Sequence, residues 1–132
     1  MPGWVGDKLA RLAGPTINES QLKELVTSRI AKLESPDDED RIAAAVELGK
    51  IGADAKEALP VLINALKDPI ARVRSSVAHA LGQIGPDSEE VMSALLTPVR
   101  DSDPSVRRNA ADAIGGPFRD IAGPVRLPLE ED

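Results

Sequence analysis

Arg41, Arg74 and Arg107 stand 33 residues apart, with Arg72 and Arg108 beside the row. Guanidinium groups at a fixed repeat could hold a run of phosphates or carboxylates, because each presents a planar fork of donors. The same spacing suits a structural ladder, in which each arginine meets an aspartate of its own or a neighbouring turn. Asp37, Asp68, Asp101 and Asp103 are placed for that and would neutralise much of the row, so the ladder is the favoured reading. His79 lies within VRSSVAHALG, and the residues 33 positions to either side of it are Val46 and Asp112. A position that takes Val, His and Asp in turn reads as an outer helix surface. Asp37, Asp38, Glu39 and Asp40 form a dense acidic turn, but the spacing and distal glutamate of a calcium loop are absent. N-caps and favourable charge at a helix start account for it. Gly49, Gly52, Gly82 and Gly85 are expected at helix ends rather than in a phosphate-cradling loop.

Composition narrows the chemistry further. The 132 residues include no cysteine and one histidine, which removes disulfides, thiolate nucleophiles, Cys-ligated zinc and any multi-imidazole site within one chain. No catalytic, cofactor-binding or metal-binding set emerges. Sixteen basic against twenty-two acidic residues give a net charge of -6, which argues against whole-surface attraction to nucleic acid. The only aromatics, Trp4 and Phe118, make no stacking platform for bases. No apolar run approaches the roughly 18 residues of a membrane span, and the N-terminus lacks a secretory signal pattern. A cytoplasmic protein is expected.

The elements that must position these residues follow from an internal repeat. Ser35–Gly52 aligned with Asp68–Gly85 gives seven identities in eighteen positions, against roughly one by chance. They are Pro36/Pro69, Arg41/Arg74, Ala45/Ala78, Leu48/Leu81, Gly49/Gly82, Ile51/Ile84 and Gly52/Gly85. One step further, Val106, Arg107, Ala111, Ala113 and Gly115 match Val73, Arg74, Ala78, Ala80 and Gly82. Each unit reads as two helices. Val73, Val77, Leu81 and Ile84 form the apolar stripe of a first helix, and the small Ala78 and Ala80 allow close approach of a neighbour. Asp54 and Asp87 are expected to open the second helices as N-caps, with Glu57 and Glu90 three residues on. Leu59, Leu62, Ile63 and Leu66 form the buried stripe. Pro60 and Pro98 are awkward inside such a helix, which must start later or kink.

The segments DPIARVRSSVAHALGQIG and DPSVRRNAADAIG, with ALPVLINALKD as a second helix, resemble HEAT-like repeats of the type found in phycobilisome lyase subunits. The resemblance covers roughly residues 20 to 116. It implies an all-α fold: a short right-handed α-solenoid of about three helix pairs with an N-terminal capping helix and an extended C-terminal tail. Units are expected at 1–34 (cap and degenerate first repeat), 35–67, 68–100 and 101–116, followed by a proline-rich hydrophobic tail, 117–132. Stacking explains the periodicity, since a lone helix pair cannot bury its apolar face. Iron hydroxylases built from such repeats carry paired His-Glu motifs, and this chain has none.

At the N-terminus, Asn18–Glu34 is an amphipathic helix with Leu22, Val26, Ile30 and Leu33 on one face, and Trp4, Val5, Leu9 and Leu12 suggest a short cap ahead of it. At the other end Pro117, Gly123, Pro124 and Pro128 oppose a regular second helix, yet Phe118, Ile121, Val125, Leu127 and Leu129 are too apolar for a solvated tail. The tail either folds over the flank of the last repeat or docks on another protein.

Such families line their concave face with second helices. Outside the buried stripe, columns run across the stack: Thr27, Pro60 and Ser93; Ala31, Asn64 and Thr97; Ser28, Val61 and Ala94; with Glu34, Lys67 and Arg100 at one rim. These small, mostly uncharged residues permit close approach of a helix or extended peptide. The candidate partner-binding set is therefore Pro60, Val61, Asn64, Lys67, Ser93, Thr97 and Arg100 with the tail residues Phe118, Ile121, Val125, Leu127 and Leu129. The leading expectation is a non-catalytic protein-interaction module, without cofactor: an adaptor, assembly factor or accessory subunit. The alternatives are a chromophore-lyase-like subunit or chaperone, suggested by the resemblance alone, and a nucleic-acid-backbone binder through the arginine row. Pairing through open ends keeps a homodimer among the options.

Overall fold

A computed structural model describes residues 17–122, with side chains through residue 115. Six α-helices and two 3-10 segments follow one another: α1 (Glu19–Lys32), α2 (Asp38–Ile51), a 3-10 segment (Gly52–Ala58), α3 (Leu59–Ala65), α4 (Ala71–Ile84), α5 (Glu89–Leu95), a 3-10 turn (Pro98–Arg100) and α6 (Pro104–Ala122). No strand occurs among the described residues. The fold is all-α, a short α-solenoid. The expected N-terminal cap around Trp4 lies outside the described residues.

The helices form two layers. The first helices α2, α4 and α6 pack side by side, α4 lying between the other two, while α1, α3 and α5 contact each other sparsely. The core runs through all units. Val73, Val77, Leu81 and Ile84 of α4 are completely buried, together with Leu48 of α2, Val106 and Ala110 of α6, and Leu62, Val91 and Leu95 of the second layer. The α4 stripe read from 3.6-residue spacing therefore faces inward as expected, whereas of the second-helix stripe Leu59 and Leu62 are buried and Ile63 and Leu66 only half-buried.

The close approach of first helices depends on glycine. A Cβ at Gly82 would lie 2.7 Å from the Cβ of Ala113, and one at Gly49 would lie 3.2 Å from the Cα of Ala80. Both glycines lie in the last turn of their helices, three positions before the C-caps Gly52 and Gly85, so close packing and not capping accounts for them, while Gly52 and Gly85 end the helices as expected. Gly52 alone among the described glycines has positive φ, 76°, and it does end a helix.

Caps differ from the sequence reading in the second layer. Neither Asp54 nor Asp87 caps a helix. Residues 52–58 form a 3-10 segment, and α3 begins only at Leu59. Pro60 thereby falls in the first turn, where its missing N–H is no loss. Ser88 caps α5, accepting from the Val91 amide at 3.3 Å, and α5 stops before Pro98. Asn18 and Gln21 form a reciprocal capping box at α1, with bonds of 2.8 and 2.9 Å. The acidic turn behaves as expected: Asp37 caps α2 by accepting from the Glu39 amide at 3.0 Å, and Asp38, Glu39 and Asp40 fill its first turn.

The last helix also differs. Sequence reading ends it at the Gly115-Gly116 pair, but α6 continues through Pro117 to Ala122. Residues 123–132 lie outside the described residues.

Candidate functional site

The arginine row is a ladder of carboxylate contacts. Arg41 donates from Nε and Nη2 to the two carboxylate oxygens of Asp68, at 2.8 and 3.3 Å, and from Nη1 to the Ser35 carbonyl at 2.8 Å. Arg74 repeats the arrangement one unit later. It donates to Asp101 at 2.8 and 3.1 Å and to the Asp68 carbonyl at 2.8 Å. Each guanidinium thus ties its own turn to the next one, and each aspartate also accepts a backbone amide: Ile70 on Asp68 and Asp103 on Asp101, both at 2.9 Å. Hydrogen bonding to Asp68 raises the Arg41 pKa, and hydrogen bonding to Asp101 raises that of Arg74, both against partial desolvation. Burial alone would lift the Asp101 carboxyl. The Arg74 hydrogen bond, the Asp103 amide and the positive charges of Arg74 and Arg107 outweigh it and hold the carboxyl below its ordinary value. Two of the three row arginines are therefore engaged in structure and not available as a phosphate track. His79 is exposed on the outer surface of α4, as are its counterparts Val46 and Asp112. Among the described residues no cluster of acidic and histidine side chains could hold a metal ion.

On the second-helix face two clefts open between successive units. The first has a volume of about 560 Å³ and is lined by Leu33, Glu34, Pro60, Val61, Asn64, Ala65, Lys67 and Asp68. The second, of about 250 Å³, is lined by Ile63, Leu66, Lys67, Ser93, Ala94, Thr97, Pro98 and Asp101. Adding 33 to the first lining reproduces most of the second: Leu66, Lys67, Ser93, Ala94, Thr97, Pro98 and Asp101. The clefts are one recess made twice, because sparse contact between second helices leaves a gap wherever first helices pack tightly.

Of the candidate residues, Pro60, Val61, Asn64 and Lys67 come together in the first cleft. Ser93 and Thr97 line the second, which Lys67 also borders. Arg100 is exposed but lines neither. Phe118 and Ile121 fall on the helical backbone of α6, and their side chains, like Val125, Leu127 and Leu129 altogether, lie outside the description. Sequence reasoning missed one wall of the site. Asp68 and Asp101, known only as ladder partners, border the clefts as well, and their 33-residue spacing beside Asn64 and Thr97 was the available signal. Each recess thus combines a small-residue floor with a carboxylate already held by an arginine, next to the Lys67 ammonium at the rim, which forms no ion pair among the described residues.

A family model for HEAT repeats matches residues 26–115. No curated protein matches the chain. No helix among the described residues is long and apolar enough to cross a membrane.

Proposed function

This chain belongs to the HEAT-repeat family, whose members generally mediate protein–protein contacts, and from that premise we propose that it is a non-catalytic protein-binding module. Its role is that of an adaptor, assembly factor or accessory subunit of a larger complex. The observation that carries this reading is the recess repeated at 33-residue register along the second-helix face. A partner helix or extended peptide crossing successive second helices would meet Pro60, Val61 and Asn64, then Ser93 and Thr97, with Lys67 between the two recesses. The small side chains let a backbone approach closely, and Lys67 favours a partner with a carboxylate near the crossing point. Engagement of Arg41 and Arg74 by aspartates weighs against a nucleic-acid backbone as the ligand.

The test is the double substitution Asn64→Arg and Thr97→Arg, both at exposed positions. Native affinity purification of both forms, with circular dichroism to show that helicity is kept, should recover a stoichiometric partner with the parent chain and lose it with the variant. The same partner held by the folded variant removes this face from the argument.

A further inference from the structure

The two recesses repeat with the helices that make them, so whatever lies across both must repeat at the same interval. The first opens between α1 and α3, the second between α3 and α5, and neighbouring helices of a layer stand about 8–10 Å apart. In each recess one hydrogen-bonding side chain holds the same register, Asn64 in the first and Thr97 in the second. Both are exposed, and neither side chain has a hydrogen-bond partner among the described residues. The rim carries the column Glu34, Lys67 and Arg100, all exposed and none in an ion pair among the described residues. Glu34 and Lys67 border the first recess, and Lys67 also borders the second. The wall carboxylates are already engaged, Asp68 by Arg41 and Asp101 by Arg74. The face thus repeats a recess with a side-chain donor twice, beside rim charges that run negative, positive, positive.

We propose that this face takes a polyproline II segment of a protein partner, with successive triplets seated in successive recesses, a cation over Glu34 and carboxylates over Lys67 and Arg100. The inference rests on the protein-binding reading above and adds a conformation and a sequence register to it. Period is the first argument. Polyproline II rises ~3.1 Å per residue with three residues per turn, so one edge recurs every ~9 Å, which is the helix spacing. An extended strand returns to one face every ~6.6 Å or ~13 Å and falls out of step with the recesses. Hydrogen bonding is the second. An α-helix comes near the spacing at two turns, ~10.8 Å, but its carbonyls are bonded internally and leave Asn64 and Thr97 nothing to donate to. A polyproline II segment has no internal hydrogen bonds. Its carbonyls three residues apart can accept from the Asn64 amide and the Thr97 hydroxyl. Charge is the third. A three-residue period sets one position of each triplet on the rim column, where one acid and two bases favour one basic and two acidic partners.

The probe is a synthetic peptide of three alanine-proline-X triplets, X being lysine, glutamate and glutamate, made in both orders because such a segment can lie in either direction. It is titrated against the full chain by calorimetry, with the NMR signals of the Asn64 side-chain amide and the Thr97 methyl as site reporters. One order should bind and shift both signals, and a control with one alanine inserted in each triplet should bind at least tenfold more weakly. Lys67→Glu should weaken binding about fivefold, the scale of one exposed charge pair, and a peptide with lysine at the central X should recover it. Asn64→Leu with Thr97→Val, which keeps side-chain size and removes both donors, should weaken binding about tenfold. No binding of either order, equal binding of the four-residue control, or no recovery by the central lysine each overturns the inference. The protein-binding reading fails separately, since it stands or falls with the partner captured by the parent chain and lost by the Asn64→Arg, Thr97→Arg variant.

Discussion

The forked contact between Arg74 and Asp101 shows how one pair of residue types serves both folding and the candidate site. Both side chains are largely covered, at 17% and 13% exposure, and Asp101 also forms part of the second cleft wall. Replacing Asp101 by Asn keeps the size but gives up the charge-assisted bonds, and should lower stability at neutral pH by about 1–2 kcal/mol. The sign of the pH dependence follows from the depressed carboxyl. Its folded pKa lies below the ordinary 3.8, so its contribution is complete above the unfolded value and is lost as pH falls through the folded one. The parent chain and Asp101→Asn should therefore differ in urea midpoint near neutrality and converge as pH falls through the depressed folded carboxyl value. A difference that persists unchanged into acid would show that ionisation of Asp101 contributes nothing. The row itself was legible from residue spacing, as were its aspartate partners. The directions of the contacts, forward 27 residues to a side chain and back six to a carbonyl, were not, because periodicity gives neighbours in sequence register but not which turn a long side chain reaches.

Helix against helix, the governing quantity is distance, which spacing does not report. Buried stripes such as Val73, Val77, Leu81 and Ile84 follow directly from a period near 3.6 residues. Gly52 and Gly85 end their helices as read, but Gly49 and Gly82 mislead, because a helix-end cap and a close crossing call for the same residue type. Gly82→Ala separates the two explanations. Alanine in a helix interior ordinarily adds about 0.5–1 kcal/mol over glycine. Here its methyl would meet the Ala113 Cβ at 2.7 Å, and relieving such overpacking costs about 1–3 kcal/mol. A net loss in denaturant melts is expected, and a gain would mean that α4 and α6 separate freely. Gly49→Ala should cost less, since its shortest contact is to the movable Gln83 amide end, although 3.2 Å to the Ala80 Cα leaves little slack. The second-layer caps were misread for a related reason. Asp54 and Asp87 have the right type and offset, but the chain first turns through a 3-10 segment or passes the cap to Ser88. Ser88→Ala should then cost about 1 kcal/mol, and Asp87→Ala very little, in the same melts.

Stability in a stacked array is passed between neighbours, so position along the stack matters as much as burial. Leu81 and Leu95 are both fully buried leucines. Leu81 belongs to α4, which packs against α2 on one side and α6 on the other, whereas Leu95 belongs to α5 in the second layer of the last pair. Truncation of either to alanine costs about 2–5 kcal/mol by the usual measure of a lost core leucine. The consequences should nevertheless differ in where they are felt. Without Leu81 the middle unit weakens on both flanks, and amide exchange should accelerate across α2, α4 and α6 together. Without Leu95 exchange should accelerate in α5 and α6, while α2 retains its protection, because the Arg41–Asp68 joint and the α2–α4 contact are untouched. Hydrogen exchange read by mass spectrometry resolves the two patterns. Equal loss everywhere from Leu95→Ala would mean that the molecule opens only as a whole. The two recesses would then share one rigid frame, and a partner seated in the first could not be released by fraying of the last unit.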